Sequence, residues 1–190
     1  MTKQMWKPGT LLCPVPVVMV SCKSSEGMSN IITVAWTGIV CSDPAMLYVS
    51  IRPERFSHHI IKDSNSFVVN IPNRSLAYAV DFCGVKSGRD INKFEHLGLT
   101  IQKSNLVDVP SIAECPVNLE CRVRDIISLG SHDMFIAEIL CVDVEERLLD
   151  KSGKLHLNKA ALMCYTHGEY IALAESLGHF GFSVRKKVKR

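Results

Sequence analysis

The sequence predicts a mainly β protein in which roughly six antiparallel strands close, or nearly close, into a barrel with a few short helices between them. Two observations carry this. Apolar, β-branched runs recur at short spacing, separated by Gly, Pro, Asn and Ser turn chemistry. None of these runs is followed by the long helical pattern that a parallel βαβ unit needs.

Residues 15–22 form a β-branched run with prolines only at its start. Lys23-Ser24-Ser25-Glu26-Gly27 then supplies a turn before residues 30–36, so the two runs predict a hairpin. Residues 46–51 make a third strand, stopped by Arg52-Pro53, and residues 66–71 a fourth, stopped by Pro72; residues 54–62 leave room for one short helix between them. Residues 117–124 alternate strictly between apolar and polar, which predicts one buried and one wet face. After a turn at Leu129-Gly130-Ser131, residues 134–144 supply the partner strand of a second hairpin. Asn73 is placed to cap a helix running through Leu76, Ala79, Val80 and Cys83, with Gly84 as its stop, and residues 91–97 predict another before Gly98. Without repeats, low-complexity stretches or a linker, residues 1–190 read as one domain.

With 47% hydrophobic and 22% charged residues the chain can bury a sizeable core, which excludes intrinsic disorder and a disulfide miniprotein. The net charge of +3 is misleading until it is located. Of 22 basic residues, five (Arg185, Lys186, Lys187, Lys189 and Arg190) lie in the last six positions, so the rest of the chain holds 17 against 19 acidic residues. A slightly acidic body with a solvated, frayed basic tail is not the footprint of a nucleic-acid-binding face. Eight cysteines are scattered singly with no CxxC, which argues against a zinc framework and for a reducing compartment. No secretory signal pattern opens the chain, and no apolar run approaches the roughly 20 residues of a membrane span. The expectation is a cytoplasmic protein with no membrane insertion, no nucleic acid and no bound metal.

Neither GxxxxGK[ST] nor GxGxxG occurs, so a phosphate-bearing ligand would be held otherwise. Three segments are candidates. Ser50-Ile51-Arg52-Pro53-Glu54-Arg55-Phe56-Ser57 ends a strand in two arginines and opens a helix at a serine: either a phosphate site or a strand-to-helix turn with solvated arginines. From Asp81 to Phe94, small residues at 84, 87 and 88 accompany Lys86, Arg89 and Lys93; this is either a ligand loop or a connector between surface helices. In residues 30–42, Thr33, Trp36, Thr37 and Ser42 punctuate an apolar stretch, where Trp36 is a core residue or the wall of a flat ligand. GxSxG and HExxH are absent; Cys164 and His167 are too few for a closed zinc site, and His58-His59 read as helix surface. His132, at a hairpin tip, is either a solvated turn residue or a titratable donor above a pocket.

In this order, Pro14-Val15-Pro16-Val17, Asn30-Ile31-Ile32-Thr33-Val34-Ala35-Trp36-Thr37, Ser42-Asp43-Pro44, Ser50-Ile51-Arg52, Phe67-Val68-Val69-Asn70-Ile71-Pro72, Cys83-Gly84 with Ser87-Gly88-Arg89, and Gly130-Ser131-His132-Asp133-Met134-Phe135 resemble the flavin reductase-like family of FMN-binding split barrels, most closely its flavoredoxin branch. The resemblance implies a six-stranded antiparallel split barrel and a homodimer with flavin sites near the subunit interface. It implies that Asn30, Thr33, Val34, Ala35, Trp36 and Thr37 line the flavin ring, and that Ser50, Ile51, Arg52 and Ser57 take the ribityl chain and phosphate. Cys83, Gly84, Ser87, Gly88 and Lys93 would close over the flavin, with Asn70 nearby and His132 where a nicotinamide docks. The implied activity is hydride transfer from NADH or NADPH through FMN to flavin or another acceptor, with a non-enzymatic FMN electron carrier serving redox protein partners as the alternative. Residues 154–190, including Tyr165 and Gly178-His179-Phe180-Gly181-Phe182, go beyond short flavin reductases and resemble flavoredoxins.

Overall fold

The computed structural model describes residues 1–184; the basic tail, residues 185–190, lies outside the described residues. After β1 (Val15–Pro16), the first hairpin pairs β2 (Val18–Lys23) with β3 (Ser29–Val34), and β4 (Thr37–Ser42) and β5 (Ala45–Ile51) form a second. Helix α1 (Phe56–Ser64) leads to β6 (Ser66–Ile71), and α2 (Ala77–Val85) and α3 (Lys93–Leu97) follow. A small ribbon of β7 (Ile101–Gln102) and β8 (Ser111–Ile112) precedes the long hairpin of β9 (Val117–Ser128) and β10 (Asp133–Val144). The last hairpin, β11 (Met163–Thr166) and β12 (Glu169–Ala172), adds β1 to make a three-stranded sheet.

The main sheet runs β3-β2-β6-β9-β10-β5-β4, antiparallel throughout. Its two edge strands, β3 and β4, are joined by only Ala35 and Trp36. Seven strands laid flat would hold their edges roughly 29 Å apart, whereas this link reaches about 10 Å. The sheet must therefore roll into a barrel. The sequence reading counts six barrel strands, and the structure has seven because the chain bends at Ala35-Trp36 and re-enters the sheet as β4, whose Gly38 and polar ends hide it. Taken as one bent strand crossing the seam, β3 and β4 restore the count of six.

Side chains alternating along β2 explain its unbroken apolar run. Val18, Val20 and Cys22 face the barrel interior with Phe67, Phe135 and α1's Ile60 and Ile61, while Val17 and Met19 face outward beneath α2 and α3. Asn92 accepts from the Glu95 amide at the start of α3, and Gly98, at φ +62°, ends it in the left-handed region that glycine favours. Gly84 lies inside α2 rather than stopping it, and a 3-10 turn (Arg74–Leu76) capped by Asn73 precedes that helix. His58 is buried rather than on the helix surface, whereas His59 is exposed. Cys164 is buried in β11 and His167 exposed in the following turn.

The wet face expected on residues 117–124 is wet only at its far end, where Arg122 and Arg124 are exposed. Asn118 and Glu120 are buried because the segment after β7 crosses that side of the sheet. Glu120 Oε1 accepts from the Asn105 amide at 2.6 Å, and Oε2 from the Leu106 and Val107 amides at 2.6 and 3.1 Å. Asn118 Nδ2 donates to Asn70 Oδ1 at 2.7 Å, and that oxygen also takes the Ile112 amide at 2.9 Å. Buried, charged and fully used, Glu120 ties this crossing segment to the barrel. All eight cysteines are free, and burial pushes the Cys22 and Cys121 thiols up to about 12, which leaves them inert. Glu120→Gln, which loses one acceptor and aims an amide donor at backbone N–H groups, is expected to destabilise the fold by about 2 kcal/mol in urea unfolding.

Candidate functional site

The seam itself is the first half of the site. β3 pairs with β2, and β5 with β10 and β4; the β4–β5 ladder runs on to a bond from the Ser50 amide to Trp36 O at 2.9 Å, and past it the end of β5 faces β3. The gap is a cavity of about 210 Å³, walled by Thr33, Val34, Ala35 and Trp36 on one side and Ser50, Ile51 and Arg52 on the other. Arg55, His132 and Tyr165 complete it. Thr33 Oγ1 donates to Val80 O in α2, which directs this side chain away to the helix. Tyr165 arrives from β11, whose ring packs on that of Tyr170 at 5.7 Å.

His132 sits at the tip of the β9–β10 hairpin with Nδ1 2.9 Å from Ser131 Oγ. Partial burial, and then the Arg52 charge, push its pKa below the ordinary histidine value, so the neutral ring dominates at pH 7. The next residue, Asp133, accepts from Ser128 Oγ at 2.6 Å and contacts His58 Nε2 at 2.8 Å; these hydrogen bonds hold its carboxyl below the usual carboxylate range.

A second cavity, of about 200 Å³, adjoins the first and shares Ile32 and Arg55 with it. It lies at the N-terminus of α1, a nine-residue helix with no side-chain cap and no acidic residue in its first turn. Amide N–H groups and the positive end of the helix dipole are therefore unclaimed there. Arg55, Lys86 and Arg89 surround this end with Ser57 and Ser87. Arg55 Nη2 donates to Gly84 O at 2.6 Å, and Arg89 lies over the Phe56 ring at 5.4 Å. Asn30 Nδ2 donates to Ser57 Oγ at 2.8 Å. Gly88 is required by close approach: a Cβ there would fall 2.2 Å from Asn30 Oδ1 and 2.7 Å from the Phe56 ring. Lys93 is only 2% exposed, and its Nζ donates to Ile31 O at 2.6 Å and Cys83 O at 2.9 Å, leaving one N–H. Burial lowers its pKa and raises that of Cys83 to about 11.

Thus Thr33, Val34, Ala35, Trp36, Ser50, Ile51, Arg52 and His132 meet at the seam, and Asn30, Ser57, Cys83, Ser87, Gly88 and Lys93 at the cationic end. Three expected residues line neither cavity. Thr37 is turned into the sheet, bonded to Tyr48 O at 2.6 Å; Asn70 is buried in the network with Met19, Ser21 and Asn118; Gly84 presents only its carbonyl, to Arg55. Arg55 and Phe56 stand in the candidate phosphate segment, and Lys86 and Arg89 in the candidate loop, without a role toward the flavin, and Tyr165 stands in the flavoredoxin-like segment without a place in the site. Arg55 was visible as the second arginine before a helix start, whereas Tyr165 comes from a hairpin that no local signal ties to the seam. A larger cavity of about 630 Å³ beside residues 103–110 contains none of these residues, and its Lys23 is committed to Asp108 at 2.7 Å.

Residues 10–174 match the family described as flavin reductase like domain. An uncharacterized protein of Archaeoglobus fulgidus is 38% identical over 140 residues, 74% of this chain and 78% of its own length. Among solved structures, flavoredoxin of Desulfovibrio vulgaris (Miyazaki F) superposes with a TM-score of 0.90 at 31% identity, covering 97% of this chain and 100% of its own. Flavoredoxin from Methanosarcina acetivorans superposes with a TM-score of 0.87 at 26% identity over the same shares. The mainly β barrel, its ordered motifs and this match over most of the chain make it a member of the flavin reductase like domain family.

Proposed function

We propose that this protein binds FMN in the two adjoining cavities and works as an oxidoreductase, taking hydride from NADH or NADPH and passing the electrons to flavin or another acceptor. The observation that carries the reading is the pairing of an apolar, aromatic slot at the seam with a cationic helix N-terminus directly beside it. A flat ring needs the first, edged by backbone donors and acceptors, and a phosphate dianion needs the second. The residues present fit both parts of FMN, and the family membership together with the likeness to two flavoredoxin structures supports the choice.

When bound, the cofactor supplies a ring that accepts and releases hydride. The chain supplies the rest. Val34, Ala35 and Trp36 against Ser50 and Ile51 fix the slot's width, and Arg55, Lys86, Arg89 and the first amides of α1 hold the anionic end. The mostly neutral His132 offers a ring nitrogen to orient a dihydronicotinamide and does not oppose the positive charge that ring gains as it gives up hydride. Lys93, on the carbonyls of Ile31 and Cys83, keeps a cation at the floor that favours a reduced, anionic ligand.

The reading includes a homodimer. α2 buries Ala79, Val80 and Cys83 but also exposes Tyr78 (73%) and Val85 (68%), and a helix apolar on opposite faces calls for a cover on both.

A yellow protein bleached anaerobically by NADH or NADPH supports the enzyme, whereas reduction by dithionite alone identifies an electron carrier. Arg55→Ala is expected to weaken FMN binding, by fluorescence titration, by about 1.5 to 3 kcal/mol; Arg52→Ala should cost less, because Arg52 is exposed and paired with Glu54. His132→Ala should slow reduction by NAD(P)H in stopped flow roughly tenfold to a thousandfold while FMN affinity holds. Light scattering should give twice the chain mass of 21.1 kDa, and Tyr78→Asp with Val85→Asp should shift it to the monomer.

A further inference from the structure

We infer that the bond between buried His58 and partly buried Asp133 positions His132, locking the hairpin tip at the seam to the helix that forms the anionic end of the site; the inference rests on the function proposed above. Ser57 lines the cationic cavity, and the next residue, His58, is 7% exposed with Nε2 2.8 Å from Asp133 Oδ2. His132 lines the seam, and the residue after it is Asp133. One hydrogen bond therefore spans the two halves of the groove, one peptide unit from a lining residue on each side.

The pair is built for fixed geometry. Both oxygens of Asp133 are used, Oδ1 by Ser128 Oγ within the hairpin at 2.6 Å and Oδ2 by His58 across to α1. The His58 ring stands edge-on to Phe135, a fully buried core residue, with centroids 5.1 Å apart and planes at 74°. His58 is thereby held by the barrel core, and Asp133 by His58. Beyond Asp133 the hairpin leaves the sheet: the β10–β5 register begins at Asp133↔Ile51. Among the described residues, the hydrogen bonds of the tip itself are internal, from the Leu129 amide to His132 O at 2.8 Å and between Ser131 and the His132 ring. The direction in which His132 points is therefore set where Asp133 is anchored. A polar pair partly withdrawn from water contributes little net stability. What it adds is a directional tie that apolar packing lacks.

The test uses the full chain and three variants: His58→Phe, which keeps a ring and removes the donor, His58→Gln, which restores one, and His132→Ala. Without flavin, amide hydrogen exchange at Leu129 should quicken about tenfold or more in His58→Phe, with β6 amides unchanged, and return toward wild type in His58→Gln. With FMN loaded, His58→Phe should keep FMN affinity within about threefold but slow reduction by NAD(P)H roughly tenfold or more. Adding His132→Ala to it should cost nothing further, because two residues acting as one unit are not additive. Unchanged exchange at Leu129, or fully additive losses, would overturn the inference. Failure of wild type to be reduced by either nicotinamide nucleotide would remove the proposed activity while the exchange result still decides the positioning role. Should His58→Phe not fold, Asp133→Ser, whose shorter side chain falls out of reach of His58, is measured in the same way.

Discussion

A link of two residues governs this molecule. Because Ala35 and Trp36 are all that separates the two edge strands of the main sheet, the sheet has to curl until those edges meet, and the place where they meet has no ladder of its own. Strand edges left unpaired in the open invite foreign strands. Here the free edge of β3 is turned toward the end of β5 that runs past β4, and the gap between them is a slot. The site is thus a product of topology before it is a product of side chains: any sequence that closes this barrel by so short a link inherits a slit at the seam.

Side chains then decide what the slit accepts. α1 follows β5 after a short turn, so the helix N-terminus falls beside the slit's lower end, and Arg55, whose guanidinium reaches the Gly84 carbonyl, belongs to both compartments. α2 and α3 bring Cys83 and Lys93 beneath β3, where Lys93 is held by carbonyls rather than by a carboxylate. A cation held by neutral dipoles keeps its field available to whatever lies above it, which a salt bridge would cancel.

Most of the strands were legible because their signals are local. Residues 66–71 are bounded in the structure as their apolar run and Pro72 dictate, and the β9–β10 hairpin follows from alternation and a glycine turn. β4 was not legible, since Gly38 and the polar Thr37 and Ser42 weaken its pattern and its strand character comes from pairing with β5. Alternation along β9 correctly groups Asn118 with Glu120 on one face but carries no information on what covers that face, and the covering segment makes both buried. The candidate residues followed the same division. Those within one motif, such as Thr33 to Trp36, line one cavity, whereas Asn70 serves the loop network, because a buried asparagine with satisfied donors looks identical in sequence to a ligand-binding one.

The cations of the groove sit at different depths, and this has a consequence for ionic strength. Lys86 and Arg89 are exposed, so their attraction for an anion is screened over a Debye length of about 8 Å at physiological salt. Lys93 is almost sealed from solvent and Arg55 half-sealed, so salt screens their charges less. Raising the salt concentration thus removes the outer pair's share of the attraction and leaves the inner pair's. For the phosphate proposed to bind here, the outer cations would act while it approaches and the inner ones would govern how long it stays.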